Sequence, residues 1–175
     1  MTAFAGPLAI AALLLVVGGI AKARTPTDTA RALQAVGIPG STTLVRVIAV
    51  LEALLGAAAL LVGSPVLVAL VAASYALFAA FVVRALRAGT PISSCGCFGK
   101  IDTPPSRVHV VVDGLLAVAG AAVAISGTDV SLPAILPEQP LVGIPFVMLV
   151  VIGAGLVFLA FTSLPRTLAA VQEMG

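Results

Sequence analysis

Five apolar runs, nearly free of charge, alternate with shorter polar segments along the chain. They extend from about Ala3 to Ala21, Leu44 to Val62, Val66 to Val83, Val108 to Ile125 and Leu141 to Leu164. Each approaches the roughly 20 residues that an α-helix needs to cross the hydrocarbon core of a bilayer. The alternation expected of a membrane β-barrel is missing, and a spanning segment in lipid must satisfy its backbone hydrogen bonds internally. The pattern therefore predicts an all-α integral membrane protein, a helical bundle of about five transmembrane helices.

Two connections carry patterns of their own. Thr25-Pro26-Thr27-Asp28 reads as a helix start, with Thr25 as cap, Pro26 in the first helical position and Asp28 near the positive end of the dipole. Ala30, Leu33 and Val36 then share a face, and Gly37 offers a stop, which predicts a short helix at the membrane interface after the first span. Pro133, Pro137 and Pro140 punctuate the connection before the last run, which is expected to be irregular and half-immersed.

Composition agrees with the pattern. Hydrophobic residues make up 61% and charged residues 9%, with a mean hydropathy of +1.23, values a water-soluble domain could not present to solvent without large apolar patches. No segment is polar enough for an extramembrane domain, so residues 1–175 are expected to form a single membrane domain. The net charge of +2 carries no argument for nucleic acid. Lys22 and Arg24 follow the first run instead of preceding it, the reverse of a signal peptide, so that run is read as a retained helix.

Basic residues give an orientation. Lys22, Arg24, Arg31 and Arg46 lie around the first connection, Arg84, Arg87, Lys100 and Arg107 around the third, and Arg166 after the last run. The Gly63-Ser64-Pro65 turn and the segment from Ser126 to Pro140 carry none. The positive-inside rule then predicts a multi-pass protein of a bacterial-type plasma membrane. Its amino terminus is outside, and its carboxyl terminus and the Cys95 loop are cytoplasmic.

The chain has two cysteines, and both fall in that loop, as Cys95-Gly96-Cys97-Phe98-Gly99. Cysteine reacts as its thiolate, which neighbouring cations favour, and Lys100 and Arg107 are close in sequence. A disulfide across Gly96 would close a very small, strained ring and so suit exchange better than bracing. Two small buried apolar residues at a helix entrance are the plain alternative. A metal set of Cys95, Cys97, His109 and Asp102 matches the usual ligand spacing poorly, and no metal or other cofactor is predicted.

Within the spans, Glu52 and Asp113 are expected to face the bundle interior, since an unpaired charge in lipid is costly. Glu52 reads either as a supporting carboxylate for thiol chemistry or as helix-to-helix glue; Asp113 reads as glue or a surface group. His109 reads as interfacial, and Ser74 and Tyr75 as packing with local hydrogen bonds. Ala49, Ala53, Gly56 and Ala57 describe a helix surface that a neighbour can approach closely.

Taken in order, these features resemble the MauE branch of the MauE/DoxX redox-associated membrane proteins. The resemblance rests on Gly18-Gly19-Ile20-Ala21-Lys22 closing the first helix, Val36-Gly37-Ile38-Pro39 closing the interfacial segment, Leu51-Glu52-Ala53-Leu54-Leu55-Gly56, and Ser94-Cys95-Gly96-Cys97-Phe98-Gly99 after the third helix. It covers about residues 5–125, a four-helix core, with a C-terminal helix over about 141–164 beyond it. It implies a thiol-disulfide redox protein that helps form or maintain disulfides in a partner, MauE itself being associated with maturation of methylamine dehydrogenase. Cys95 and Cys97 would be the exchanging pair and Glu52 a supporting carboxylate. Gly96, Phe98, Gly99, Lys100 and Arg107 would support the motif. The partners implied are a thioredoxin-like or other redox protein, an exported substrate protein and the lipid bilayer.

Disulfide formation belongs outside a bacterial cytoplasm, whereas the basic residues place the pair inside. Either the pair relays reducing equivalents from cytoplasmic donors, or the partner chemistry of the family does not carry over. The rival reading is a non-enzymatic scaffold or accessory subunit that docks through the face around Ala53 and Gly56. A transporter lacks the interrupted, paired helices it would need.

Overall fold

The computed structural model describes residues 5–89, 104–127, 131–133, 140–164 and 167. They form six helices: α1 (Ala5–Arg24), α2 (Pro26–Ala35), α3 (Thr42–Val62), α4 (Pro65–Ala88), α5 (Arg107–Ser126) and α6 (Pro140–Thr162). All except α2 are long and apolar enough to cross a membrane. The five-span bundle with a short helix after the first span follows the hydrophobic pattern, and no strand occurs among the described residues.

The helix ends show why the chain turns where it does. Gly63 ends α3 in the left-handed region at φ 64°, and its N–H returns to the Ala59 carbonyl at 3.0 Å. A side chain is strained in that conformation, so glycine is the residue that stops the helix there. Ser64 then accepts the Leu67 N–H at 3.3 Å, and Pro65 occupies the first turn of α4. Three consecutive residues thus stop one span, cap the next and start it.

The short helix ends in a Schellman arrangement. The Ile38 N–H donates to Leu33 at 3.0 Å and the Gly37 N–H to Gln34 at 3.0 Å, with Gly37 at φ 74°. Its start differs from expectation. Thr25 makes no side-chain cap for α2; its hydroxyl donates to the Ala21 carbonyl at 3.1 Å, serving the exposed end of α1. A threonine one residue past a helix can satisfy a preceding carbonyl as well as a following N–H, and here the former prevails.

Packing is organised around α1, which is the most buried span and touches every other helix. Its partner α3 fits closely because small residues face each other. A methyl group on Gly56 would lie 2.5 Å from the Ala12 carbonyl oxygen, and one on Gly19 would lie 2.5 Å from that of Ala49. In lipid no hydrophobic force drives such pairing, so close backbone approach supplies the attraction. The face around Ala53 and Gly56 is therefore occupied by α1 and is not open to a scaffold partner.

We predict that Gly56→Leu destabilises the bundle by about 1–3 kcal/mol through overpacking. Gly114→Ala, where an added methyl meets nothing within 4 Å, changes little. Thermal unfolding of the two purified variants in the same detergent compares them.

The other strong pairing is α4 with α5, while α3 and α4 meet only lightly. The C-terminal helix α6 packs on α1 and touches α5, burying Val150, Ala154 and Phe161. The α4 helix continues to Ala88, past the apolar run that ended at Val83. This carries Arg84 to the Val36 carbonyl, where Nε and Nη2 both donate, at 3.0 and 2.9 Å. Arg46 likewise donates to Ala23 at 3.2 Å. Both arginines thus meet carbonyls at helix C-terminal ends, the negative end of the dipole.

Candidate functional site

Chain direction puts the last turn of α1, the start of α3, the end of α4, the start of α5 and the end of α6 at one end of the bundle. Four of the buried polar residues, Lys22, His109, Asp113 and Thr162, lie in the half nearest that end. Lys22 is 5% exposed although it lies only two residues from the end of α1, and its Nζ forms an ion pair with Glu52 Oε2. Side chains on a helix lean toward its N-terminus. Lys22 therefore leans from the membrane edge inward, and Glu52, on the oppositely directed α3, leans back toward that edge, so the two converge.

The Lys22 ammonium also lies 4.5 Å from the centre of the Phe78 ring. A cation over an aromatic face gains from the ring quadrupole, more so when desolvated. Phe78 in turn stands edge-on to Tyr75, their centroids 5.7 Å apart. The Tyr75 hydroxyl donates to the Ala11 carbonyl at 2.7 Å, a bond across the bundle where the sequence suggested a local one. Ser74 does bond locally, to Leu70 at 2.9 Å.

Asp113 is 2% exposed, and it shares a narrow cleft with Lys22, Tyr75, Phe78 and Phe161. Its predicted interior direction is therefore correct, and the surface role is not. His109, read as interfacial, is fully buried. Its Nδ1 lies 2.8 Å from the Ser106 hydroxyl, and its ring lies 5.1 Å from that of Phe161. Phe161 of α6 packs on the ring at the first turn of α5 and contributes to that burial, along with α4 and α1, on which α5 also packs.

Of the expected site residues, Glu52 is thus placed in the interior beside Lys22, and Arg107 is exposed at the first position of α5. Cys95, Gly96, Cys97, Phe98, Gly99 and Lys100 lie outside the described residues. Much of the proline-rich connection before α6 does too. In sequence the cysteines fall between α4 and α5, and the end of α4 and the start of α5 lie at the same end of the bundle as Lys22, His109 and Asp113. Among the described residues no three His, Cys, Asp or Glu side chains form a metal-sized cluster.

Sequence reading missed three members of this interior, Lys22, Phe78 and Phe161. Lys22 looked like a topological charge, though a lysine three residues after the close-packing Gly19 already hinted at an inward face. Phe161 gave no signal, because α6 is apolar on every side and its buried stripe cannot be read from periodicity.

No curated protein and no solved structure matches the chain. The family model described as methylamine utilisation protein MauE matches residues 1–126, a stretch that takes in α1 to α5, Lys22, Glu52, Asp113 and both cysteines. This five-span membrane protein therefore belongs to the MauE family.

Proposed function

We propose that this chain is an accessory membrane protein of a redox maturation system and acts by thiol-disulfide exchange through Cys95 and Cys97. The observation that carries the reading is the place of the pair. The chain's two cysteines sit on either side of one glycine, inside the family-matched region, in the stretch of sequence between α4 and α5. Arg87 and Arg107 close the helices on either side of that segment, and both are exposed. Cations near a thiol favour the thiolate, the form that attacks.

In the proposed exchange, one cysteine thiolate attacks a disulfide of the partner, forming a mixed disulfide and releasing one partner thiolate. The second cysteine thiolate then attacks the mixed disulfide. This leaves a Cys95–Cys97 disulfide and a partner dithiol, so two electrons pass from the pair to the partner; the reverse sequence returns them. A strained ring across Gly96 would raise the potential of the pair and so favour the reverse sequence, in which the pair takes two electrons from a partner dithiol. A thioredoxin-like protein is the natural partner, and Glu52 supports the interior by holding Lys22.

If the reading holds, a Cys97→Ser variant accumulates the mixed disulfide that Cys97 would resolve, or Cys95→Ser does so if the roles are exchanged. The adduct is a reducible higher-mass band on a non-reducing gel of cell membranes. Its absence from both single variants, with the protein inserted at normal levels, would remove the exchange step.

Orientation is part of the proposal. With the basic ends cytoplasmic, a fluorescent protein fused after Gly175 should fold and fluoresce, and alkaline phosphatase fused there should be inactive. The opposite result would place the cysteine pair on the outer side, where disulfides form.

A further inference from the structure

The light contact between α3 and α4 leaves a cavity of about 330 Å³ at the seam, with the Lys22–Glu52 pair in its lining. That volume is at the small end of the range for ligand pockets, about 300–1,000 Å³, enough for one ring-sized head but not for a large cofactor. Apart from the charged pair and Thr29 the lining is apolar, with Phe78 and Phe81 on the α4 side. Its rim includes Leu77, 70% exposed halfway along α4, and Ile48, 43% exposed on α3. Both side chains face the hydrocarbon layer, so the cavity opens to lipid.

An apolar space of this size is unfavourable to leave unfilled, and its exposed rim on the spanning helices α3 and α4 gives a lipid-soluble molecule a way in. An acyl chain alone would fill volume while offering nothing to an ammonium and a carboxylate. A phosphate head would set its charge against Glu52. The lining instead suits a flat, uncharged ring that offers carbonyl acceptors in one redox state and hydroxyl donors in the other, flanked by aromatic side chains, with a tail leaving between Ile48 and Leu77.

We infer that the Lys22–Glu52 cavity binds the head of a membrane quinone, with a quinone carbonyl accepting from the Lys22 ammonium and a hydroquinone hydroxyl donating to the Glu52 carboxylate. The choice of a quinone among ring-headed lipids rests on the thiol-redox reading above, since a cycling dithiol requires a two-electron partner and quinones fill that role in bacterial membranes. The cavity, its polar lining and its lipid-facing mouth stand without that reading.

The test is calorimetric titration of the full-length protein in phospholipid nanodiscs with decylubiquinone. Wild type should bind saturably. Ile48→Trp, which narrows the mouth without touching the ion pair, should weaken binding at least tenfold. The paired change Lys22→Met with Glu52→Leu should weaken it similarly while circular dichroism reports an unchanged helical fold. The Cys95→Ser/Cys97→Ser double variant should bind as wild type does, so a failed exchange reaction and a failed quinone site give different results. Three outcomes would overturn the inference: no saturable binding to wild type, equal binding by wild type and Ile48→Trp, or full displacement of the quinone by an equal concentration of decanol, which would mean that an alkyl chain alone is recognised.

Discussion

Replacing Cys95 or Cys97 by serine is expected to reduce partner maturation to background while the protein still inserts at its normal level. The proposed exchange would use both sulfurs in turn, one to form the mixed disulfide and one to resolve it, so neither single variant would retain a complete cycle. Serine is close to cysteine in size but is a far weaker nucleophile at neutral pH and cannot form the disulfide. The bundle should not notice the change. Its described core is built from α1 against α3, α4 against α5, and α6 over α1. Membrane immunoblots and partner activity measured on the same cells separate the two effects. Normal partner maturation in both variants would contradict the assignment.

Lys22→Met is expected to be the most destabilising single change in the interior, by about 3–5 kcal/mol, the usual cost of breaking a buried ion pair from one side. It leaves Glu52 in the middle of α3 with a short side chain that cannot reach the membrane edge. Glu52→Leu should cost less, because Lys22 lies near the end of α1 and its long stem can turn outward to the interface. Combining the two changes should recover most of the loss, since two apolar residues of similar volume replace both charges. Thermal unfolding in detergent for the four proteins gives the ranking. Equal costs for the two single variants, or additive costs in the double, would show that the pair contributes little as a pair.

Much of the architecture could be read from the chain because lipid leaves so few choices. An apolar run near spanning length in a bilayer must be a helix, and Gly63-Ser64-Pro65 then says where one span stops and the next begins. The short helix α2 was legible for similar reasons, through Pro26 at its start and Gly37 at its end. The small-residue face at Ala49, Ala53 and Gly56 was legible as a close-approach surface, but nothing in it named α1 as its neighbour. Pairing across the bundle is where sequence reasoning ran out. Lys22 and Glu52 are far apart in the chain, and only the opposite directions of α1 and α3 bring them together. His109 was misread because its burial comes from neighbours distant in the chain, Phe161 among them, in a helix without amphipathic signal. The reading of Cys95-Gly96-Cys97 rests on residue type and spacing alone, since that segment lies outside the described residues.

The central claim is that Cys95 and Cys97 form a reversible redox pair. The most direct measurement labels both thiols with a membrane-impermeant reagent in intact and in permeabilised cells, with and without prior reduction, and counts the labels on each. The account predicts labelling that increases after reduction and that requires permeabilisation. Full labelling of both thiols without reduction would contradict it and leave the cysteines as structural residues.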